Sequence, residues 1–510
     1  MVSSDALRAT RPSAPTASTL AQVAQWLDLP SPDDAGTTRV TGLSLGSQRV
    51  LPGDLYAALP GARVHGATYA RDAVAAGAVA ILTDPAGAAL LRDPAGGPGN
   101  PGVPVLVVDD PRDRLGALAA RVHDNPATNL AMIGVTGTQG KTTTTRLLEI
   151  ALQAASVPAA VVGTVGTRIN GVDIPTTLTT PEAPDLHALF ALMVEQGVHT
   201  CAMEVSSHAL VMGRVDGIVF DVAVFTNLGR DHLDFHTDVE DYFAAKARLF
   251  TPQRARRGLV NLDDDHGRRL RDEAKIPIRT FALNDASADW RAVDLDLQPQ
   301  RSEFTVLGPD GIRVRTSVPI AGDFNVANAL AAIAAAAEAG HDPEQVAQGM
   351  ARGGGVPGRL ERVEVPGGIT AVVDYAHKPD AVEAALTTLR PLTSGRLIIV
   401  IGAGGDRDSG KRPVMGEIAA RLADLVVVTD DNPRTEDPAA IRSQVLAGAA
   451  GPGEVIEVAG RRAAIRSALE QAVAGDIVLV AGKGHETGQE INGVVHPFDD
   501  RVVVAEEAGR

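Results

Sequence analysis

The stretch LAMIGVTGTQGKTT, residues 130–143, decides the fold of this 510-residue chain. Residues 130–135 are apolar and predict a buried strand, glycines follow at Gly137 and Gly140, and a helical pattern begins at Lys141. A strand, a glycine turn and a helix in this order form a loop whose backbone N–H groups face a phosphate, where the helix N-terminus adds partial positive charge. Lys141 would neutralise the β- and γ-phosphate oxygens, and Thr142 could bind Mg²⁺. The sequence therefore predicts ATP binding by Gly137, Thr138, Gln139, Gly140, Lys141, Thr142 and Thr143.

The glycine spacing departs from the strict phosphate-loop pattern. That pattern requires a glycine where this chain has Val135, and Gly134 comes one residue too early. The alternative is a glycine turn beside a surface lysine. The flanking strand and helix favour the nucleotide site.

Apolar strands alternate with helix-length segments after the loop, which predicts a parallel sheet covered by helices. Such sheets bind ligands at the carboxyl ends of their strands. Glu204 ends one strand and His232 follows another, so both are candidate metal ligands. The alternatives are a carboxylate that caps the next helix and a histidine satisfied by a neighbouring backbone group.

Composition excludes several classes of protein. The chain carries 47 Lys and Arg against 63 Asp and Glu, a formal charge of −16, which argues against nucleic acid as a partner. A single cysteine, Cys201, fits a reducing compartment and a core position. No apolar run reaches the roughly 18 residues of a membrane span, and no signal peptide is evident, so we expect a cytoplasmic protein.

The length favours about three domains. We expect a disordered tail over residues 1–19, a small α/β domain over 20–125, a central parallel-sheet ATPase domain over 126–355, and a C-terminal Rossmann-like domain over 356–510. The fold class is thus α/β throughout.

Ten ordered motifs match one known family: the loop at Gly137, then TTPE at 179–182, EVSSH at 204–208, NLGRDHLDFH at 227–236, GDFN at 322–325, PGR at 357–359, DYAH at 374–377, GGDR at 404–407, DNPR at 431–434 and GKGHE at 482–486. On these motifs the chain resembles the Mur ligases of bacterial cell-wall synthesis over nearly its whole length.

The resemblance implies a reaction. ATP would phosphorylate the D-glutamate γ-carboxylate of UDP-N-acetylmuramoyl-L-alanyl-D-glutamate, and the amine of an amino acid would attack the acyl phosphate. A carboxylate becomes a good electrophile only when one oxygen is a phosphate leaving group, and cations stabilise the transferring phosphoryl. The resemblance also implies ATP and two Mg²⁺ ions as cofactors, and a role in peptidoglycan synthesis, cell wall biogenesis, cell shape and cell division. We expect a monomer.

The resemblance also carries roles to individual residues. Lys246 aligns with a lysine that the family carries as a carbamate made with CO₂ (N6-carboxylysine), which would hold a second Mg²⁺ alongside His232. The alternative for Lys246 is a solvated helix lysine. The implied catalytic set is Lys141, Glu204, His232 and Lys246, and the implied metal set is Thr142, Glu204, His232 and Lys246. Asn325 and Arg359 would contact ATP, although Asn325 could instead cap a helix.

For the UDP-peptide, the resemblance implies Leu45 and Ser47 at the uridine end, and Thr179, Thr180, Ser206 and Arg214 at the muramoyl peptide. Two departures appear. The family usually has Asp-Ser-Arg where this chain has Gly46-Ser47-Gln48, and Met212 stands where Gln is common.

The amino-acid site is expected at the carboxyl ends of the C-terminal strands, where the candidates are Arg407, Asp431, Asn432, Pro433, Arg434, Gly482 and Glu486. A guanidinium binds a carboxylate bidentately, and Glu486 could pair with an ammonium. The distal end of meso-diaminopimelate carries a carboxylate and an ammonium and needs both residues, whereas lysine would leave Arg434 unpaired beside a cation. The DNPR motif at 431–434 therefore favours meso-diaminopimelate as the amino acid, and the resemblance implies the same. The alternative is that Arg434 simply pairs with Glu436 or Asp437.

Three rival functions stay open at this point. They are a sister ligase that adds D-glutamate or a dipeptide, a folate polyglutamate ligase, and a regulatory nucleotide-binding protein without ligation. Arg407 and the DNPR motif argue against the first two, and Lys141, Thr142, Glu204 and His232 argue against the third.

Overall fold

The computed structural model describes residues 7–33, 35–92, 99–176, 178–229, 231–232 and 235–509. The chain divides into two compact units, which we describe separately. The first comprises residues 1–291, 308–310 and 330–349, and the second comprises 292–307, 311–329 and 350–510. The predicted boundaries near residues 125 and 355 stay predictions.

Residues 7–19 differ from the predicted disordered tail, of which residues 1–6 lie outside the described residues. Arg11 forms an ion pair with Asp54 at 3.0 Å and donates to the Leu43 carbonyl at 3.0 Å. Ser18–Thr19 pairs antiparallel with Arg39–Val40. A Ser- and Pro-rich composition does not reveal that one arginine satisfies a buried carboxylate, and this contact fixes the segment.

The first unit opens with a four-stranded parallel sheet, in the order Gly42–Ser44, Asp54–Ala58, Ala80–Thr83 and Val105–Val107. The helices of this region are Leu20–Trp26, Ala70–Ala75, Pro85–Arg92 and Pro111–Val122, with 3-10 turns at Ser47–Arg49, Gly66–Tyr69 and Pro126–Asn129. Buried aliphatic side chains from strands and helices form its core.

A second sheet of the first unit has the strand Ala131–Thr136 at its centre. From one side to the other its order is Val172–Ile174, Gly166–Ile169, Ala159–Gly163, Thr200–Glu204, Ala131–Thr136, Phe220–Phe225, Ala255–Asn261, Ile278–Ala282 and the start of Trp290–Leu297. The strands are parallel except Gly166–Ile169, which runs antiparallel to both of its neighbours. Glu204 pairs with Val135, so the carboxyl ends of these neighbours meet beside the phosphate loop.

The helices around this sheet are Lys141–Ala154, Ala183–Glu195, Ser207–Val211, Val239–Ala247 and Asp265–Glu273. Cys201 is fully buried among them, as predicted. The helices Asp323–Glu338 and Pro343–Arg352, like the strand Trp290–Leu297, begin in one unit and end in the other.

The second unit contains an antiparallel pair, Ser302–Leu307 and Arg313–Val318, and a six-stranded sheet. The order of that sheet is Glu361–Val363, Thr370–Asp374, Ile477–Ala481, Leu397–Ile401, Leu425–Val428 and Glu454–Glu457, parallel apart from the first strand. Its helices are Pro379–Leu389, Lys411–Leu422, Pro438–Gly448, Arg461–Gln471 and Asp500–Ala508, with a 3-10 turn at Arg390–Leu392. A hairpin, Gly488–Ile491 with Val494–Pro497, follows the strand Ile477–Ala481 in the chain.

The described residues include no helix long and apolar enough to cross a membrane.

Candidate active site

Two glycines shape the phosphate loop. Gly137 has φ +149° and Gly140 has φ +85°, values that side-chain-bearing residues rarely adopt. A Cβ on Gly137 would lie 1.9 Å from the Thr226 hydroxyl oxygen. Gly134, in contrast, lies against Phe220, whose ring would come within 2.8 Å of an added Cβ. Gly134 therefore serves strand packing, which explains a glycine one residue ahead of the strict loop spacing.

The loop is held by the residues that follow the neighbouring strand Phe220–Phe225. Thr138 N–H donates to the Asn227 carbonyl at 2.9 Å, and Gln139 N–H donates to Asn227 Oδ1 at 2.9 Å. The Thr226 hydroxyl donates to the Gln139 carbonyl at 2.6 Å. These bonds hold the loop against the end of the neighbouring strand.

Two lysines meet at one carbonyl oxygen of the loop. Lys141 Nζ donates to Gly137 O at 2.8 Å and to Thr138 O at 3.0 Å, and Lys246 Nζ donates to Gly137 O at 2.9 Å. Lys246 is only 1% exposed, so its alternative as a solvated helix lysine is wrong. Positive charge is thereby concentrated at the loop, where an anionic polyphosphate would bind.

Tyr242 joins the loop to His232. Its hydroxyl lies 3.2 Å from Thr138 Oγ1, Lys246 Nζ lies 4.3 Å from its ring centroid, and the His232 ring lies 5.9 Å away. Burial raises the pKa of the Tyr242 phenol, so it stays neutral at physiological pH. His232 has φ +54°, and its Nε2 lies 3.2 Å from Asp231 Oδ2. The structure therefore brings Lys246 and His232 to the same aromatic side chain.

Glu204 is 1% exposed and is held by Thr164 in the turn after Ala159–Gly163. Thr164 N–H donates to Oε1 at 2.7 Å, and its hydroxyl donates to Oε2 at 3.1 Å. The N-cap of the helix Ser207–Val211 is Ser206, whose Oγ accepts from Ala209 N–H at 3.1 Å. The alternative in which Glu204 caps that helix is therefore wrong.

The residues predicted for the muramoyl peptide surround Glu204. The Thr180 hydroxyl donates to the Glu204 carbonyl at 2.8 Å, and Thr179 Oγ1 lies 3.0 Å from Thr164 Oγ1. Arg214 donates to the Thr180 carbonyl at 3.2 Å and pairs with Glu182 at 2.8 Å. The third nitrogen of Arg214, Nη2, lies 3.6 Å from Met212 Sδ, so the unusual methionine contacts the predicted substrate arginine.

The predicted uridine residues lie in the first sheet's loops. Leu45 packs against the core of that sheet, and Ser47 begins a 3-10 turn that ends at Arg49. Arg49 pairs with Asp185 at 3.0 Å, in the first turn of Ala183–Glu195. This contact brings the turn next to the segment that carries Thr179 and Thr180.

In the second unit, the predicted amino-acid residues gather where three parallel strands end. Arg434 Nη1 donates to the Gly405 carbonyl at 2.6 Å, and its Nε lies 3.3 Å from Glu490 Oε2. Glu436 instead pairs with buried Arg412 at 2.9 Å. The alternative pairing of Arg434 with Glu436 or Asp437 is thus not observed. Arg434 pairs instead with Glu490, a residue that the sequence did not indicate.

Asn432, Glu486 and Lys483 form a hydrogen-bonded cluster beside Asp431. Asn432 Nδ2 donates to Glu486 Oε2 at 2.8 Å, and Lys483 Nζ lies 3.9 Å from Asp431 Oδ1. Gly482 has φ +119°, and a Cβ there would lie 2.7 Å from Asp431 Oδ2. Arg407, in contrast, is exposed in the loop after Leu397–Ile401.

Three protein-family models match successive segments of the chain. They are described as "Mur ligase family, catalytic domain" over residues 39–123, "Mur ligase middle domain" over 135–336, and "Mur ligase, glutamate ligase domain" over 358–484. A protein of Streptomyces avermitilis, named UDP-N-acetylmuramoyl-L-alanyl-D-glutamate--2,6-diaminopimelate ligase, is 55% identical over 503 residues, which cover 97% of each chain. One of the same name from Corynebacterium glutamicum is 48% identical over 478 residues, 91% of each chain. A solved structure of that name matches with a TM-score of 0.67 and 35% identity, covering 97% of this chain and 99% of the other.

The chain belongs to the Mur ligase family. It is an ATP-dependent, amide-bond-forming ligase, and the family uses ATP and Mg²⁺. The α/β fold expected from the sequence is confirmed.

Two further predicted ATP contacts of this Mur ligase lie in the second unit. Asn325 is 1% exposed and lies inside the first turn of Asp323–Glu338, so it is not the N-cap. Its Nδ2 donates to the Ala321 carbonyl at 2.8 Å, just before that helix begins. The Arg359 guanidinium stacks 5.0 Å from the Tyr375 ring centroid. Their roles in ATP binding stay predictions.

The donor chemistry at the loop of this Mur ligase suits magnesium, a hard cation that prefers oxygen. Thr142, buried in the first turn of the loop helix, offers a hydroxyl, and Glu204 offers a carboxylate already oriented by Thr164. Within the described ranges, no group of three or more His, Cys, Asp or Glu is arranged to hold a metal. The predicted metal ligands do not form such a group, because two of them are the Thr142 hydroxyl and a modified lysine, Lys246.

Sequence reasoning missed four residues that contact the predicted site residues: Thr164, Tyr242, Lys483 and Glu490. Lys483 lies within the GKGHE motif, and Tyr242 lies four residues before Lys246, so motif spacing could have found both. Thr164 and Glu490 come from hairpins with no motif signal, so only the fold reveals them.

Proposed function

We propose that this Mur ligase joins meso-diaminopimelate to the D-glutamate γ-carboxylate of UDP-N-acetylmuramoyl-L-alanyl-D-glutamate, in peptidoglycan precursor synthesis. The observation that carries the choice of amino acid is that one hydrogen-bonded network contains both a guanidinium, Arg434, and a carboxylate, Glu486, linked through Glu490 and Asn432. The names of the relatives with 55% and 48% identity agree with this substrate pair.

The phosphate loop would hold ATP for the first step, the transfer of the γ-phosphoryl to the γ-carboxylate. Its backbone N–H groups and Lys141 would bind the β- and γ-phosphate oxygens and stabilise the charge of the transferring group. Thr142 and Glu204 would hold a magnesium ion, which supplies charge neutralisation and a template for the phosphates when bound.

Lys246 would carry a carbamate and, with His232, hold a second ion. Carbamate formation replaces an ammonium with two oxygen donors but leaves one N–H on the nitrogen. That N–H can keep the present bond to the Gly137 carbonyl. Burial of Lys246 supports the proposal, because a shielded carbamate loses CO₂ less readily to bulk water.

Thr179, Thr180, Ser206 and Arg214 would bind the muramoyl peptide next to Glu204. The Arg214 guanidinium would supply positive charge for the anionic peptide, and it is already oriented by Glu182 and the Thr180 carbonyl. Leu45 and Ser47 would contact uridine. In this arrangement the γ-carboxylate end would lie at Glu204, which is beside the phosphate loop.

The amine of the amino acid would attack the acyl phosphate, form a tetrahedral intermediate and expel phosphate. Arg434, with Arg407 and Asn432, would bind the distal carboxylate of diaminopimelate, and Glu486 would bind the distal ammonium. Lysine lacks that carboxylate, so its binding would place an ammonium near the Arg434 guanidinium with no substrate carboxylate between the two cations.

A substrate panel tests the proposal. Phosphate release is measured with UDP-muramoyl dipeptide, ATP and either meso-diaminopimelate or lysine. We expect release to require all three substrates, with kcat/KM at least about 100-fold higher for diaminopimelate. Arg434→Ala should abolish this preference, whereas Arg421→Ala, which removes an exposed guanidinium from Lys411–Leu422, should preserve it. A preference of the wild type for lysine would refute the assignment, and release without an amino acid would refute ligation.

A monomeric state and a cytoplasmic location belong to the same proposal. Light scattering should give the mass of one chain with and without substrates. Cell fractionation should recover the protein with other unexported enzymes.

A further inference from the structure

Lys483 carries a fully buried ammonium group among the predicted amino-acid ligands. It follows the strand Ile477–Ala481 by two residues, and its side chain is 0% exposed. Its Nζ donates to Asn432 Oδ1 at 3.0 Å and to Glu486 Oε2 at 2.9 Å. A lysine is rarely buried to this extent unless its charge is paired. Both of these partners are side chains proposed to touch the substrate.

Lys483 fixes which way the Asn432 amide faces. Asn432 Oδ1 accepts two donors, Lys483 Nζ at 3.0 Å and Glu490 N–H at 2.9 Å. The oxygen must therefore lie on that side, because the amide nitrogen cannot accept a hydrogen bond. Asn432 Nδ2 is thereby directed to Glu486 Oε2, at 2.8 Å.

Lys483 also fixes the carboxylate of Glu486. Its ammonium and the Asn432 amide both donate to the same oxygen, Oε2. The carboxylate is thus held by one edge, and Oε1 keeps its capacity to accept from an incoming ammonium. A charged donor at one oxygen also orients the whole group more firmly than a neutral donor would.

Glu490 links this cluster to Arg434. Its N–H binds Asn432, its carbonyl accepts from Arg434 N–H at 3.0 Å, and its carboxylate lies 3.3 Å from Arg434 Nε. One hydrogen-bonded network therefore orients the side chains of Asn432, Glu486 and Arg434. Lys483 is the buried cation of this network.

We propose that Lys483 is a positioning residue for amino-acid recognition. It fixes the Asn432 amide for binding the distal carboxylate of a diamino dicarboxylic acid, and it fixes the Glu486 carboxylate for binding the distal ammonium. Lys483 does not touch the substrate. The inference rests on the proposed function, because it takes Asn432 and Glu486 as substrate ligands.

The test is steady-state kinetics of Lys483→Met in the full-length enzyme, varying each of the three substrates in turn. Methionine fills a similar volume without charge or donors. We expect KM for meso-diaminopimelate to rise about 10- to 100-fold, as is typical when a supporting shell is lost, while KM for ATP and for the UDP-dipeptide change less than about twofold. Lys483→Gln keeps a hydrogen-bond donor but not the charge, so its KM for meso-diaminopimelate should be intermediate. If the methionine variant does not fold, the glutamine variant is measured in its place.

Arg396→Met is the matched control. Arg396 pairs with Asp476, a carboxylate that is 1% exposed, at 3.1 Å. Asp476 precedes the same strand that Lys483 follows, so this ion pair lies at the opposite end of Ile477–Ala481. We expect Arg396→Met to lower the melting temperature and leave KM for diaminopimelate unchanged.

The outcomes are distinct. An unchanged KM for diaminopimelate in the folded Lys483 variants would overturn the inference, as would a parallel rise in all three KM values or an equal rise in Arg396→Met. If the wild type itself does not use diaminopimelate, the proposed function fails first, before any variant is compared.

Discussion

Thr164 holds both carboxylate oxygens of Glu204, Oε1 through its N–H at 2.7 Å and Oε2 through its hydroxyl at 3.1 Å. The same hydroxyl lies 3.0 Å from Thr179 Oγ1. One turn residue thus joins a candidate magnesium ligand to a candidate substrate ligand. Arg146 of the loop helix donates to the next carbonyl, Val165 O, at 3.4 Å, which ties this turn to the phosphate loop.

Thr164→Val should lower kcat/KM about 10- to 100-fold, because it removes a hydrogen bond to a charged group and keeps the β-branched shape. Thr164→Ser retains the hydroxyl and should stay near wild type. Thr167→Val is the matched control, since it removes a hydroxyl pair with Thr176 in the same hairpin. Initial rates of phosphate release measure the effect, and equal activity of the valine variant at 164 would contradict the assigned contact.

Lys246→Arg should lose ligation, and added bicarbonate should not restore it, because a guanidinium does not form a carbamate. Lys275→Arg, at an exposed position, is the control and should be fully active. Phosphate release with and without bicarbonate measures both. Carbon-13 NMR of the wild type in labelled bicarbonate should show a carbamate signal that the arginine variant lacks. Full activity of Lys246→Arg would rule out the carbamate.

Gly137→Ala should weaken ATP binding about 10- to 100-fold, because its Cβ would lie 1.9 Å from Thr226 Oγ1 at a backbone φ of +149°. Gly36→Ala, where the structure leaves open space, should bind normally. Calorimetric titration with a non-hydrolysable ATP analogue gives the affinities. Wild-type affinity in Gly137→Ala would show that the loop tolerates another shape.

Stability should fall as the pH drops below about 6.5, in part through His123. Burial is the main cause that lowers its pKa from 6.5 to about 3, and neither ring nitrogen has a hydrogen-bond partner among the residues that the structure describes. The folded state keeps the ring neutral while the unfolded state binds a proton, so this stability is present above pH 6.5 and is lost as the pH falls toward 3. At pH 5 the loss amounts to about 2 kcal/mol for this histidine.

His123→Leu should therefore reduce the difference in unfolding free energy between pH 7.5 and pH 5. His496→Leu, at an exposed position, should keep the wild-type difference. Urea unfolding at the two pH values measures it. An unchanged difference in His123→Leu would assign the acid sensitivity to other groups.

Local patterns were sufficient for the phosphate loop, since its strand, glycines and helix are contiguous, and for the α/β class. They were not sufficient for Arg11, whose partner Asp54 is 43 residues away, or for the acid beside Arg434, which is Glu490. Such contacts depend on which strand ends meet in the folded protein. No short window of sequence contains both residues of either pair.

The sequence by itself determined the family, the order of the motifs and the residue types that can bind phosphate, carboxylate and ammonium groups. Only the tertiary structure decided how those residues are held: Lys246 buried at the Gly137 carbonyl, Glu204 fixed by Thr164, and Asn432 and Glu486 fixed by Lys483. The physical reason is that chemical capacity belongs to a side chain, whereas orientation depends on hydrogen bonds from segments that are distant in sequence and adjacent only in the folded sheet.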